Sequence, residues 1–197
     1  MHGLLFTECG PLSGYLVELE QLADRLVDEM AEEELVERPP EEHANVLERR
    51  LTPCLPELLL DRVTVRREVT PGESFMVFTV PFSGTGALFS YTPRGSVGTM
   101  PRGTVSGVLT IAVSMTDRDS DAIERAYRCA VEQITDNLRA AAVELASFEA
   151  GLSGRLVTGL TTRLARVAKE RAVAEELSRR FCLAKGTGVD SAQGAAP

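Results

Sequence analysis

Few residues in this chain have types and spacings that could do chemistry. Cys54 sits in the proline-rich stretch Pro53-Cys54-Leu55-Pro56, with His43 eleven residues earlier. A thiol beside an imidazole is the start of a nucleophile–base pair, but such a pair needs a third group to orient the base. None stands at a matching spacing, so an ordinary loop cysteine is the favoured reading. Ser83-Gly84-Thr85-Gly86 looks superficially like a phosphate-binding loop. It lacks the Lys-Ser/Thr ending and a following helix, so it reads as a β-turn. Arg94 and Arg102 lie in Gly/Pro-rich turns near Phe89 and Tyr91, a combination that could hold an anion or a phosphate-bearing partner. Solubilising turn residues are the plainer explanation.

The remaining cysteines, Cys9, Cys129 and Cys182, are far apart in sequence, and only His2 and His43 accompany them. No zinc spacing can be written from that set, and no metal or cofactor is expected. The series Arg163, Arg166, Arg171 and Arg180 could contact nucleic acid, but no aromatic residues are interleaved with it. The net charge of −8 also opposes general affinity for phosphate backbones. That charge is unevenly spread: residues 1–60 are strongly acidic, whereas Arg155 to Lys185 form a basic run. The two ends are expected to attract each other, within one chain or between two.

These residues must be positioned by three kinds of segment. Hydrophobic residues make up 44% of the chain and charged ones 25%, an ordinary composition that excludes wholesale disorder and a membrane-embedded chain. No apolar run approaches the length of a bilayer span, and the opening Met1-His2-Gly3-Leu4-Leu5-Phe6 makes a poor signal peptide, so a cytoplasmic location is expected. Residues 1–60 read as an acidic helical segment. Tyr15, Leu16, Leu19, Leu22, Leu26, Val27 and Met30 recur at helical spacing from about Pro11 to Glu37. Glu32, Glu33 and Glu34 crowd the end of that helix, where the dipole disfavours them, which calls for a fraying end or a cationic neighbour. A shorter helix from Glu41 to Leu51 follows the Pro39-Pro40 stop.

Residues 61–117 change to a period of two: Met76, Phe78, Val80 and Phe82 on one strand, Val105 to Met115 on another, with Pro/Gly turns between. This predicts an antiparallel β module of four or five strands with an apolar face to be covered. Residues 118–184 return to helical spacing, from Ile123 through Phe148 and again from Leu156 to Phe181, with Gly151 and Gly154 between. Two long helices joined at those glycines predict a helical hairpin, with one helix kinked there as the alternative. Residues 185–197, rich in Gly, Ala and Ser, are expected to be a disordered tail. The fold class is therefore α+β: a small antiparallel β module flanked by an N-terminal amphipathic helix and a long C-terminal helical hairpin.

Val80-Pro81-Phe82-Ser83-Gly84, Leu88-Phe89-Ser90-Tyr91-Thr92-Pro93 and Pro101-Arg102-Gly103-Thr104-Val105 resemble a pattern in uncharacterised bacterial proteins. There, too, a β module precedes two amphipathic helices, the first ending near a Phe like Phe148 and the second Arg-rich like Arg163 to Arg171. The resemblance covers about residues 60–183. In that group the unit sometimes precedes a TIR or nuclease effector domain, which implies a role in bacterial defence or stress signalling. No effector follows the helices here, so action through another protein is implied.

Helices of about thirty residues are roughly 45 Å long, longer than a module of this size is wide. Their stripes need cover from each other, from the first helix or from a second chain. The expected function is thus a non-enzymatic adaptor or regulatory protein, acting as a homo-oligomer or through a partner protein. Leu156, Leu160, Leu164 and Val167 with Arg163, Arg166 and Arg171 are the candidate partner-binding residues, and Arg94 and Arg102 the candidate anion-binding pair. A nucleic-acid accessory role on the basic helix, and an enzyme site in the β module using Arg94, Arg102 or Cys54, are the alternatives.

Overall fold

The computed structural model describes residues 3–96 and 100–186, with side chains described as far as Phe181. Strand β1 (Gly3–Leu4) opens the chain and is followed by helices α1 (Leu12–Glu29), α2 (Glu32–Glu37) and α3 (Pro40–Leu51). Strand β2 (Glu57–Leu58) and a single 3-10 turn lead into β3 (Thr64–Thr70), β4 (Glu73–Val80) and β5 (Phe82–Ser83). A second 3-10 turn, β6 (Arg102–Val105), β7 (Leu109–Ser114) and one helix, α4 (Ser120–Gly186), complete the chain. The class is α+β.

The principal sheet has five antiparallel strands in the order β1-β6-β7-β4-β3, and β2 pairs with β5 in a separate ribbon. The period-two reading fixes which face is covered. Phe78 stands opposite Ile111, Val80 opposite Leu109 and Met76 opposite Val113, so all six share one face. That face packs on Ile123, Ala130, Ile134 and Leu138 from the first half of α4, with the Phe78 and Tyr127 rings stacked at 4.1 Å. Phe75, Val77 and Ala112 form a small apolar cluster on the opposite face.

β1 was not anticipated: a two-residue strand carries no periodicity of its own. It anchors Leu5 and Phe6, both buried, into the sheet's core. The N-terminal helical segment departs from expectation at one point. Its first helix ends at Glu29, and Met30 and Ala31 adopt extended ψ values of 132° and 145° before α2 begins. This break moves Glu32, Glu33 and Glu34 from a helix C-terminus into the first turn of α2, where the dipole favours them. α3 places Pro40 at its start, Glu41 and Glu42 in its first turn and Arg49 and Arg50 in its last, all on the favourable side of the same electrostatics.

The expected hairpin does not form. α4 runs unbroken for 67 residues, about 100 Å of helix. Asp119 starts it by accepting the Ala122 N–H on Oδ1 at 2.8 Å, after Asp117 turns the chain through a left-handed φ of 55°. Gly151 and Gly154 lie inside the helix, with nothing within 4 Å of where a Cβ would sit. The stripe Ala141, Leu145, Phe148, Leu152, Leu156, Leu160 crosses them without a change of phase, and all six are buried in one cluster with Leu12, Leu16, Val27, Leu35, Leu47 and Leu51. The cover that a second hairpin arm was expected to supply comes from α1, α2 and α3. Of the expected tail, residues 187–197 lie outside the described residues, and α4 continues to Gly186.

Candidate interaction surface

The basic run of α4 and the acidic N-terminal helices meet along one seam, parallel in direction. Arg155 forks onto Asp24, with Nε to Oδ1 at 3.0 Å and Nη2 to Oδ2 at 2.6 Å, while its Nη1 reaches Glu20 Oε2 at 2.8 Å. Arg166 approaches Asp28 at 3.9 Å and Arg171 approaches Glu32 at 3.2 Å. Between them Arg163 donates from Nη1 and Nη2 to the backbone carbonyls of Val27 and Met30. Those carbonyls belong to the end of α1, whose last turn has no further residue to bond. The guanidinium thus caps the C-terminus of α1, while the cation beside the Glu32–Glu34 cluster is Arg171. A cleft of about 360 Å³ along the seam is lined by these same charged groups.

The seam perturbs its own acids and bases. The hydrogen bond from Arg155 holds the Asp24 carboxyl below its ordinary value, against a smaller opposing effect of burial, and Asp24 in turn holds Arg155 above its own. Burial pushes Tyr15 and Tyr127 upward, and it is likewise the main cause of the rise at Tyr91, whose ring stacks on Tyr15 at 4.6 Å.

This geometry relocates the candidate residues. Leu156, Leu160 and Val167 are 1%, 0% and 4% exposed, and Leu164 packs against the same cluster. Their apolar surface is covered within the chain. Arg163 turns to the end of α1, Arg166 and Arg171 reach Asp28 and Glu32 with side chains still 59% and 47% exposed, and Arg180 pairs with Glu176 at 2.8 Å. Each of these four side chains is thus engaged by an acid or a backbone carbonyl of the same chain, which leaves less of their charge free for a polyanion. Arg94 and Arg102 are not brought together into one cleft. The Arg94 N–H bonds Glu144 on α4, whereas Arg102 lines a cleft of about 400 Å³ with Arg118, Cys129 and Gln133, floored by Phe75 and Ala112. Cys54 lies in a third cleft, with Asn45, Glu48 and Glu149. His43, in the first turn of α3, donates from Nε2 to the Glu34 carbonyl at 3.0 Å, and so serves the α2–α3 packing. Among the described residues no cluster of His, Cys, Asp or Glu could hold a metal ion, and no helix is long and apolar enough to cross a membrane.

The surface left open on α4 is its far end. Beyond Val167 every described residue is exposed except Glu176, which is half-buried. Val173, Leu177 and Phe181 are 52%, 47% and 71% exposed, and their four-residue spacing sets them on one face of the helix. Sequence periodicity contains this stripe; it could not separate the part that α1 covers from the part that nothing in the chain covers. Arg118, Cys129 and the exposed Val65 and Val69 of β3 carried no motif to single them out. Compared with known proteins, the chain matches no family model, no curated protein and no solved structure.

Proposed function

We propose that this protein is a non-enzymatic adaptor that engages a helical partner along the distal end of α4. The observation that carries this reading is the helix beyond Arg171, the last residue of the ion-pair seam. The next ten residues, 172–181, make about 15 Å of rod without tertiary cover among the described residues, and they carry Val173, Leu177 and Phe181 outward. Nearly three unsupported turns are marginal in water on helix propensity alone, and apolar side chains displayed in register gain most by docking on another helix. Glu176, Arg179 and Arg180 flank the stripe with both signs of charge, which suits a helix–helix contact better than a polyanion. The partner class that the bacterial resemblance supports is an effector carrying a TIR or nuclease domain on a separate chain.

The test is a paired substitution, Leu177→Glu with Phe181→Glu, in the full chain. Both positions are exposed, so circular dichroism and melting temperature should be unchanged. Proteins retained by the wild-type chain from its native host should be lost by the variant. Equal retention, or no protein retained by either, sinks the reading.

A further inference from the structure

We propose that the free edge of β3 joins two copies of this chain, antiparallel and edge to edge, into one continuous sheet across a two-fold axis. β3 ends the five-strand order, so among the described residues one of its sides carries no neighbouring strand. Thr64 through Arg67 and Val69 are exposed, with Val65 at 54% and Val69 at 66%. An exposed, regular edge seven residues long is a template for another strand.

The ladder decides which backbone groups face outward. The Met115 N–H donates to the Ser74 carbonyl at 2.8 Å, and this pair continues the β4–β7 register that sets Phe75 opposite Ser114. Even-numbered residues of β4 therefore bond toward β7 and odd-numbered ones toward β3, because bonding direction alternates along an antiparallel strand. Phe75 and Val77 lie opposite Glu68 and Arg66. Glu68 and Arg66 thus direct their backbone groups to β4, and the N–H and C=O of Val65, Arg67 and Val69 turn to the open side.

That edge is self-complementary. The strand reads Thr64-Val65-Arg66-Arg67-Glu68-Val69-Thr70. Rotated about Arg67, it sets Val65 opposite the partner's Val69, Arg66 opposite the partner's Glu68 and Thr64 opposite the partner's Thr70, each twice over. The residues with outward backbone groups, Val65, Arg67 and Val69, fall opposite one another in this register, as antiparallel bonding requires. Arg66 already pairs with Glu68 of its own strand at 3.2 Å, so the second copy completes an alternating ring of four charges. Cross-strand pairs of opposite charge and of β-branched residues stabilise a sheet, and like charges directly opposite destabilise it. Arg67 against the partner's Arg67 is the single unfavourable pair against six compatible ones. An unrelated strand would need none of this symmetry, and the same charges would repel most of them. The interface is isologous and closes on itself as a dimer.

The inference does not rest on the reading of α4, and the experiment separates the two. Sedimentation of the full chain should give a dimer. Arg66→Glu or Glu68→Arg alone, each setting like charges opposite across the axis, should weaken it about tenfold or more. The double variant R66E/E68R restores opposite charges in the same register and should restore dimerisation, and Arg67→Thr should tighten it. A chain truncated after Arg171 should remain dimeric. A monomeric wild type overturns the proposal, as does a dimer insensitive to the single reversals or a double variant that is not rescued. A dimer that dissolves on truncation but not on strand reversal overturns it too, and assigns the contact to α4.

Discussion

Arg155 and Arg163 sit eight residues apart on one helix and act on α1 in different ways. Arg163 satisfies carbonyls at the end of α1, groups that would otherwise have water or nothing as partners. Arg155 pairs with carboxylates that remain half exposed, with Asp24 at 51%, so solvent screens its contribution to about 0.2–1 kcal/mol. That smaller contribution still has a pH signature. The folded-state pKa of Asp24 is lowered, chiefly by the Arg155 hydrogen bond. Its stabilisation is therefore fully present above the ordinary carboxylate range and lost as pH falls through the depressed value. Asp24→Asn should melt below the wild type at neutral pH, and the gap should close in acid, below the usual titration of aspartate. Melting curves across pH check this, and a gap of constant size would show that the pair contributes through packing alone. The sequence shows the opposed charge runs plainly. It does not show which arginine meets a carboxylate and which meets a backbone, because that depends on where α1 stops.

At the scale of elements, periodicity identifies secondary structure better than connectivity. α1, α3 and the main strands follow from spacing, Pro39-Pro40 and the Glu cluster, whereas β1 and the strand order depend on pairings between distant residues that no local pattern records. The hairpin failed for a definite reason. Glycine is costly in a helix, by about 0.5–1 kcal/mol each, and two within four residues read as a turn. The stripe through Phe148, Leu152 and Leu156 is buried on both sides of them, and that burial outweighs the cost. Since a Cβ at Gly151 or Gly154 meets nothing within 4 Å, the double variant Gly151→Ala/Gly154→Ala should be more stable by about 1–2 kcal/mol. Denaturant unfolding measures it. If the chain reverses at these glycines in solution, the alanines will destabilise it instead.

Across the whole molecule, α4 spans two separate cores, and the second 3-10 turn (Gly86–Ser90) joins them as well, with Leu88 in the helical cluster and Phe89 in the sheet's. Residues Ile123 to Leu138 of α4 cover the sheet, and Ala141 to Val167 fill the helical cluster. No described residue belongs to both clusters, so cooperation between them rests on the rigidity of the helix through Ala140 and on the backbone bonds from Phe6 and Leu12 to the Phe89 and Thr92 carbonyls. The chain has no tryptophan, which leaves its three tyrosines as natural reporters: Tyr15 and Tyr91 stack in the helical region, and Tyr127 stacks on Phe78 over the sheet. Leu160 is fully buried in the helical cluster, far along α4 from Tyr127, and Leu160→Ala should cost about 2–5 kcal/mol. A continuous spine makes that loss common property. The near-ultraviolet signal of Tyr127, isolated in a Tyr15→Phe/Tyr91→Phe background, should melt at the same lowered temperature as the helical signal at 222 nm. A sheet that keeps its original midpoint while the helices melt early would mean that α4 frays between its two cores and that the protein is two units in series.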